Sequence, residues 1–402
     1  MYTDRMSTTI ARSFSLLAIY AASFLFALHT AATSYINSSF LETFLPEKYL
    51  AAVFSAGSIL TLIGLAYAPR VLRRLGGHNI ALVATGIEIL LLAGVIYFRS
   101  PLFVAGMIAF HLALVPIISY LLDLFIESAS DDSTTGKTRG LYLTVINFAW
   151  VLSPLIASLL LTNGDYWKLY IVSAMLMVPV WYLIAEKLHT FKDPVYEQAG
   201  FFASARKMFQ NRDTRAVFIS NFLLWFFYAT MIIYMPLYLH TILGFPWKEI
   251  GILFTIMLLP FIMLQYPLGR LADARLGEKE LMVAGFIIMA CSTGAIALWG
   301  MLSAAVFAPW AAILFLSRVG ASTTEVMNET YFFKHATGEN SALIGFFRNT
   351  SPLAFLAASL IGAVVFRVMD PHSPETFRLI FLALSVMMLL GVLNASFLRD
   401  TK

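Results

Sequence analysis

Charge and cysteine are what this 402-residue chain has least of. Only 12% of its residues are Asp, Glu, Lys or Arg, and 59% are hydrophobic, whereas soluble domains average about a quarter charged and about half apolar. A water-soluble core is therefore excluded. The one cysteine, Cys291, excludes an intramolecular disulfide and a cysteine-rich metal cluster, and its apolar neighbours predict a packing role. Also missing are a metal-spaced histidine cluster, a Gly-x-Ser-x-Gly elbow and a phosphate-binding glycine loop, which argues against an enzyme and against ATP as the energy source. No filter-like loop interrupts a segment, which argues against a channel. No metal and no cofactor is expected. The net charge of +4 is what basic cytoplasmic loops supply in a membrane protein, so no nucleic-acid partner is expected.

What the chain has in abundance is apolar runs, recurring from Ser13 to Leu398 at the ~20-residue length that a helix needs to cross a bilayer. Closed barrels need short alternating strands, and continuously apolar stretches such as Leu90 to Phe98 do not alternate. Helices are predicted at 13–36, 48–68, 79–98, 101–127, 140–162 and 166–185, and again at 215–239, 248–269, 280–302, 306–331, 340–366 and 375–398. The first follows Arg5 and Arg12, as a secretory signal would, but its length predicts an uncleaved helix. The expected fold is all-α and polytopic, with twelve transmembrane helices in two pseudo-symmetric six-helix bundles, residues 1–187 and 215–402. They are joined by a cytoplasmic linker, 188–214, within which Gly200 to Asn211 reads as an interfacial amphipathic helix or as a simple tether. Basic residues concentrate in alternate loops, among them Arg70, Arg73, Arg74, Lys137, Arg206 and Lys207. This places both termini in the cytoplasm.

The halves repeat. Asp123-Leu-Phe-Ile-Glu127-Ser128 answers Glu325-Val-Met-Asn-Glu329-Thr330, Ser153-Pro154-Leu155 answers Ser351-Pro352-Leu353, and Arg74-Leu75-Gly76 answers Arg275-Leu276-Gly277, in the same order. Parallel six-helix repeats with a midplane site between them build one large group of secondary transporters. The turn Gly269-Arg270-Leu271-Ala272-Asp273-Ala274-Arg275-Leu276-Gly277-Glu278-Lys279 resembles the cytoplasmic motif Gly-x-Leu-Ala-Asp-Arg-x-Gly-Arg-Lys of the major facilitator superfamily. In the corresponding turn of the first half, Leu72 stands where that family has an acid. The resemblance implies a conformational latch in which Asp273 faces a helix N-terminus and arginine; the alternative is a turn whose charges face water. Glu127, followed by Arg139-Gly140, is similar to the gating pairs of sugar-porter members.

Ionisable groups in hydrocarbon are functional candidates by default. Asp123 and Glu127, like Glu325 and Glu329, share a helix face four residues apart toward the cytoplasmic end, where gate salt bridges are the plainer reading. Arg318 lies two turns before Glu325 on the same face. The family resemblance implies that helices 1, 4, 7 and 10 line the cavity, which makes His29, His111, Asp123, Asn221, Trp225, Tyr228, Arg318 and Glu325 the candidates for substrate or proton binding; packing and interior hydrogen bonds are the alternatives for the aromatics and histidines. Glu88, on an outer helix by the same resemblance, is expected to pair with a neighbour or stay protonated. Pro116, Pro154, Pro179, Pro236, Pro260 and Pro352 are candidate bend points or plain kinks.

The function expected is alternating-access transport of a small solute, coupled to protons through Asp123 or Glu325. A drug or metabolite efflux antiporter, a solute receptor and an intramembrane enzyme on the same fold are the alternatives. The expected setting is a monomer in the lipid of a bacterial cytoplasmic membrane.

Overall fold

The computed structural model describes residues 2–129, 135–161, 164–189, 201–272, 277–299, 306–335 and 346–399, and among them there is helix and no strand. In the first half the helices are α1 (Tyr2–Ser34), α2 (Asn37–Glu42), α3 (Leu50–Leu75), α4 (Gly77–Tyr97), α5 (Pro101–Ala129), α6 (Thr135–Leu160) and α7 (Tyr166–Lys187). The connecting region carries α8 (Phe201–Gln210), whose apolar Met208 is buried while Lys207 and Phe209 are exposed. The second half has α9 (Arg212–Leu237), α10 (Trp247–Met263), α11 (Gln265–Leu271), α12 (Glu278–Trp299), α13 (Phe307–His335), α14 (Thr350–Val368) and α15 (Pro374–Ser396). Among the described residues, ten segments are long and apolar enough to cross a membrane. The other two positions of a twelve-segment arrangement fall to α10 with α11, broken at Leu264, and to α13, which carries Arg318, Glu325 and Glu329.

Local chemistry sets several boundaries. Asn211 caps α9, its side-chain oxygen accepting from the Asp213 and Thr214 amides at 2.8 and 3.4 Å. Ser373 caps α15, with Pro374 in the first turn, where a missing amide costs nothing. The matched Arg-Leu-Gly turns are also matched in backbone: Gly76 and Gly277 have φ of 77° and 80°, each directly before a helix, a conformation glycine adopts without a Cβ penalty.

Packing obeys the repeat. In the first half α1 packs on α5, α6 and α7, α3 on α5, and α4 on α5 and α7; in the second half α9 packs on α13, α14 and α15, α10 on α13, and α12 on α13 and α15. Each pair maps onto its counterpart when α1, α3, α4, α5, α6 and α7 are exchanged for α9, α10, α12, α13, α14 and α15. The same exchange relates the two seams between halves, α3 against α14 and α6 against α10. The outer surface is apolar: Leu90, Leu102, Leu159, Met175 and Val364 are all more than 60% exposed, a surface that suits lipid and not water.

Three positions differ from expectation. Cys291 is exposed on α12 rather than packed inside. Pro352 sits in the first turn of α14, just past a turn at 348–349 that separates this helix from helical residues 346–347. Arg348, two turns into the span read as helix at 340–366, lies instead in the turn before α14. Proline disfavours helical geometry in the residue before it and lacks an amide to give, so a helix start just upstream is the economical solution. Pro69, Pro116, Pro154, Pro179, Pro236 and Pro260 do lie inside helices.

The halves are closed against each other at the end opposite the termini. Tyr166 meets Trp247 edge-on at 5.4 Å, Tyr35 meets Phe254 at 4.7 Å, and His372 Nδ1 stands 3.5 Å from Glu47 Oε1. Gly251 lies so close to the Pro154 carbonyl and the Ser158 side chain that a Cβ would overlap both. Overpacking such a contact costs about 1–3 kcal/mol, so Gly251→Val is expected to pry this end open. In a protein carrying Cys291→Ser and Ala157→Cys, the introduced thiol should react faster with a water-soluble maleimide once Gly251→Val is added; an unchanged rate would mean that the seam adjusts without opening.

Glu42, in the short α2 outside the spans, has its carboxyl pushed up to about 8, first by burial and then by the hydrogen bond and charge of Glu47. A carboxyl that holds its proton more tightly folded than unfolded favours the fold at acid pH, and that advantage is lost as pH rises through the folded value. The thermal midpoint of the protein should therefore fall between pH 5 and about 8, and Glu42→Gln should flatten that part of the profile.

Candidate functional site

Polar side chains in the interior collect in two places. The first lies between the halves. Arg318, on α13, is 1% exposed. Its guanidinium lies over the rings of Phe227 and Tyr228 at 4.9 and 5.4 Å, and its Nε and Nη1 have no hydrogen-bond partner. Aromatic faces offer a cation partial compensation but leave its planar donor fork free to bind something else. Two turns further along α13, Glu325 Oε2 accepts from the Tyr228 hydroxyl at 3.4 Å and from Gln265 Nε2 at 3.3 Å. Gln265 Oε1 in turn accepts from Asn147 Nδ2 of α6 at 2.9 Å, so one amide-to-acid chain crosses from the first half to the second. Tyr35 reaches toward Arg318 from the first half.

Below this, toward the end that carries the termini, Glu329 pairs with Arg348 at 3.2 Å. Arg348 also feels Asp123 of α5, whose carboxylate is engaged by the Tyr142 hydroxyl. Arg318, Glu325, Glu329, Arg348 and Asp123 thus form a ladder of charged groups whose lowest rung spans the two halves.

The structure brings Tyr228, Arg318 and Glu325 together, with Trp225 edge-on to Tyr228 at 5.4 Å, and sets Asp123 at the foot of the same ladder. Asn221 is placed elsewhere: buried, its Nδ2 donates to Thr350 Oγ1 at 2.7 Å and so joins α9 to α14. His29 and His111 are likewise away from this site, inside the first half with Glu88. His111 Nδ1 stands 2.5 Å and His29 Nε2 3.2 Å from the same oxygen, Glu88 Oε1, which gives Glu88 its expected neighbour. Of the gate residues, Gly269 lies in α11 facing Val326, Gly277 forms the left-handed turn, and Glu329 pairs as above. Asp273 and Arg275 lie outside the described residues, as do the side chains of Glu127, Arg139 and Arg270. Gln265, Asn147 and Tyr142 are the members that sequence reasoning missed, and none carries a signal; Arg348 stands out in sequence only as a charge within the span 340–366.

A helical membrane protein with two exchange-symmetric halves and a polar centre between them has the architecture of a solute transporter fold. Comparison with known proteins agrees. Residues 217–402 match the family model for the Major Facilitator Superfamily. Over its length the chain superimposes on the crystal structure of the nucleoside transporter NupG with a TM-score of 0.73 at 14% identity, covering 95% of this chain and 98% of that one. It superimposes on the POT family transporter PepTSo with a TM-score of 0.71 at 13% identity, covering 96% and 99%. A curated relative, sugar efflux transporter A of Dickeya chrysanthemi, is 24% identical over 271 residues; the match takes in 65% of this chain and spans 65% of the length of that relative. The match to the family model lies in the second half, and the chain as a whole has the fold of these transporters.

A buried cation without a bonded anion weakens a fold, and apolar replacement of buried ionic groups is often neutral or stabilising by about 1–4 kcal/mol. Arg318→Met should therefore melt at the same temperature as the parent protein or higher in a detergent thermal scan. A sharp fall instead would mean that the arginine is a structural member.

Proposed function

We propose that the chain is a secondary transporter that moves a small hydroxylated solute across the bilayer by alternating access. The observation that carries this reading is Arg318, a fully buried guanidinium with unbonded donors facing the seam between the halves. An unpaired charge in the membrane interior is costly and persists where it serves binding or coupling. Around it, Tyr228, Gln265, Asn147 and Glu325 supply both donors and acceptors, and Trp225 adds an aromatic face. Neutral polyols with a ring to stack, such as sugars and nucleosides, match that inventory, in keeping with the sugar and the nucleoside in the names of two of the similar proteins.

Transport is coupled to protons in this reading, with Glu325 as the carrier and Asp123 as the group it exchanges with across the ladder. When Glu325 is protonated, Gln265 and Tyr228 lose an anionic acceptor and the amide chain to Asn147 is released, which frees the two halves to rock. The halves are residues 1–187 and 215–402, with 188–214 between them, and both termini face the cytoplasm of a bacterial cell. Glu127, Arg139, Arg270, Asp273 and Arg275 belong to the latch on that side.

The test is flux in proteoliposomes under an imposed pH gradient with a pH-reporting dye inside, screening sugars, nucleosides, peptides and amphipathic cations. One solute class is expected to move protons with it. Glu325→Gln should keep solute counterflow and lose accumulation driven by the gradient, and Arg318→Met should lose both. Proton-driven accumulation that survives in Glu325→Gln would remove this residue from the coupling role, and binding without flux in the parent protein would make it a receptor.

A further inference from the structure

The second polar cluster lies inside the first half, away from the seam, and the transport reading makes no use of it. His29 on α1 and Glu88 on α4 have no exposure and His111 on α5 has 1%. One nitrogen of each histidine and a carboxylate oxygen of Glu88 all lie within 4.8 Å of one another. Among the described residues no lysine or arginine faces this carboxylate; the charged or titratable groups beside it are the two histidines.

The far side of each ring is held by a hydroxyl. Ser173 of α7 donates to the His29 carbonyl at 3.0 Å, which leaves its oxygen to accept from His29 Nδ1 at 2.7 Å. Thr33 donates to the Thr30 carbonyl at 3.1 Å, which leaves its oxygen to accept from His111 Nε2 at 3.2 Å. Assigned this way, His29 Nε2 and His111 Nδ1 are the lone-pair nitrogens, and both lie beside Glu88. A second hydrogen bond that fixes the tautomer and ring angle is how metal-binding histidines are oriented.

A proton shared by His111 Nδ1 and Glu88 Oε1 would account for their 2.5 Å contact and for nothing else. His29 Nε2, though 3.2 Å from Glu88 Oε1, is not well directed at it, and Glu88 Oε2 is buried without a hydrogen-bond partner, in a place where an unpaired polar atom is unfavourable. One multivalent cation would engage all four atoms. Two imidazoles and a carboxylate are the donor set of zinc-class ions. With bonds of about 2.0–2.2 Å, ligand atoms in a tetrahedral site sit roughly 3.3 Å apart. His29 Nε2 and Glu88 Oε1 already stand at 3.2 Å, and His111 needs to back away by less than about 1 Å to match.

We propose that His29, Glu88 and His111 bind one divalent transition-metal ion of the zinc class, which clamps α1, α4 and α5 together inside the first half. The proposal does not depend on transport, and its test does not measure transport.

Full-length protein in detergent is stripped with a chelator, reloaded with Zn²⁺ or Co²⁺, and passed through a desalting column before metal analysis. The parent protein should retain one equivalent, raise its melting temperature on loading, and with Co²⁺ show the visible absorption of a low-coordinate nitrogen and oxygen site. Glu88→Gln and His111→Gln should abolish retention, Ser173→Ala should weaken it by roughly tenfold, and His372→Gln, on the surface, should leave it unchanged. Loss in His372→Gln, or equal retention in Glu88→Gln, would assign the metal to the surface and overturn the site. Failure of the parent protein to retain metal would also overturn it, with ¹⁵N histidine spectra then expected to show a proton between His111 and Glu88. Should the substituted proteins fail to fold, X-ray absorption on the cobalt-loaded parent decides, since two imidazoles and a carboxylate give a distinct shell.

Discussion

Hydrocarbon gives a peptide group nothing to bond to, so each segment that crosses it must satisfy its own backbone, and helix is the form that does so along a single strand of chain. From that constraint follow the absence of strands among the described residues and the apolar outer surface. Side chains feel it differently. Lipid already solvates leucine, so burying one more apolar group between helices gains little, and association must come from close backbone approach and from polar contacts. The packing shows both devices at equivalent places. Between α12 and α13, Gly285 and Gly320 each face the other's backbone carbonyl closely enough that a Cβ would collide. Between α4 and α5, which occupy the corresponding positions in the first half, the interface is held by Glu88 and His111. One symmetric fold has joined the same pair of helices once by removing side chains and once by adding charged ones.

The distribution of polar contacts divides the molecule mechanically. Within the halves, hydroxyls and amides tie helix to helix: Tyr170 to Asn37 at 2.6 Å, Asn221 to Thr350 at 2.7 Å, Asn394 to the Ala216 carbonyl at 2.7 Å. Across the seam the polar contacts among the described residues include Asn147 to Gln265, His372 to Glu47 and Asp123 with Arg348, with aromatic edges and a glycine between them. A buried neutral hydrogen bond contributes about 0.5–1.5 kcal/mol net, and a surface ion pair about 0–1 kcal/mol. The two halves thus meet along a seam in which aromatic edges and a close-packed glycine stand beside a few polar contacts.

Much of this was legible in the residues alone. The segments could be read because a span needs length and apolarity and little else, and the Arg-Leu-Gly matches, read only as a repeat, prove to share a positive-φ glycine. Arg318 and Glu325 stood out because charge is rare in such runs. What could not be read is pairing across distance. Nothing near Glu88 in sequence announces His29 or His111, and Gln265 looks like an ordinary polar residue until α11 sets it between Asn147 and Glu325. The start of α14 has a local cause: in sequence Pro352 reads as a kink in a long helix, whereas its ring is equally at home in a first turn, and the turn upstream places Arg348 to reach Glu329.

The position of Arg348 bears on how the centre and the seam are connected. A side chain projecting from a helix interior is aimed by that helix, but one in the turn before α14 can answer to two partners, Glu329 in its own half and Asp123 in the other. The acids of α13 then compete with the acid of α5 for one cation. Glu325 acts on Arg348 alongside Glu329, so the charge at the centre bears on how α13 and α5 share that cation. The centre is thereby linked to the contact between the halves through charges alone, with no helix having to bend to connect them.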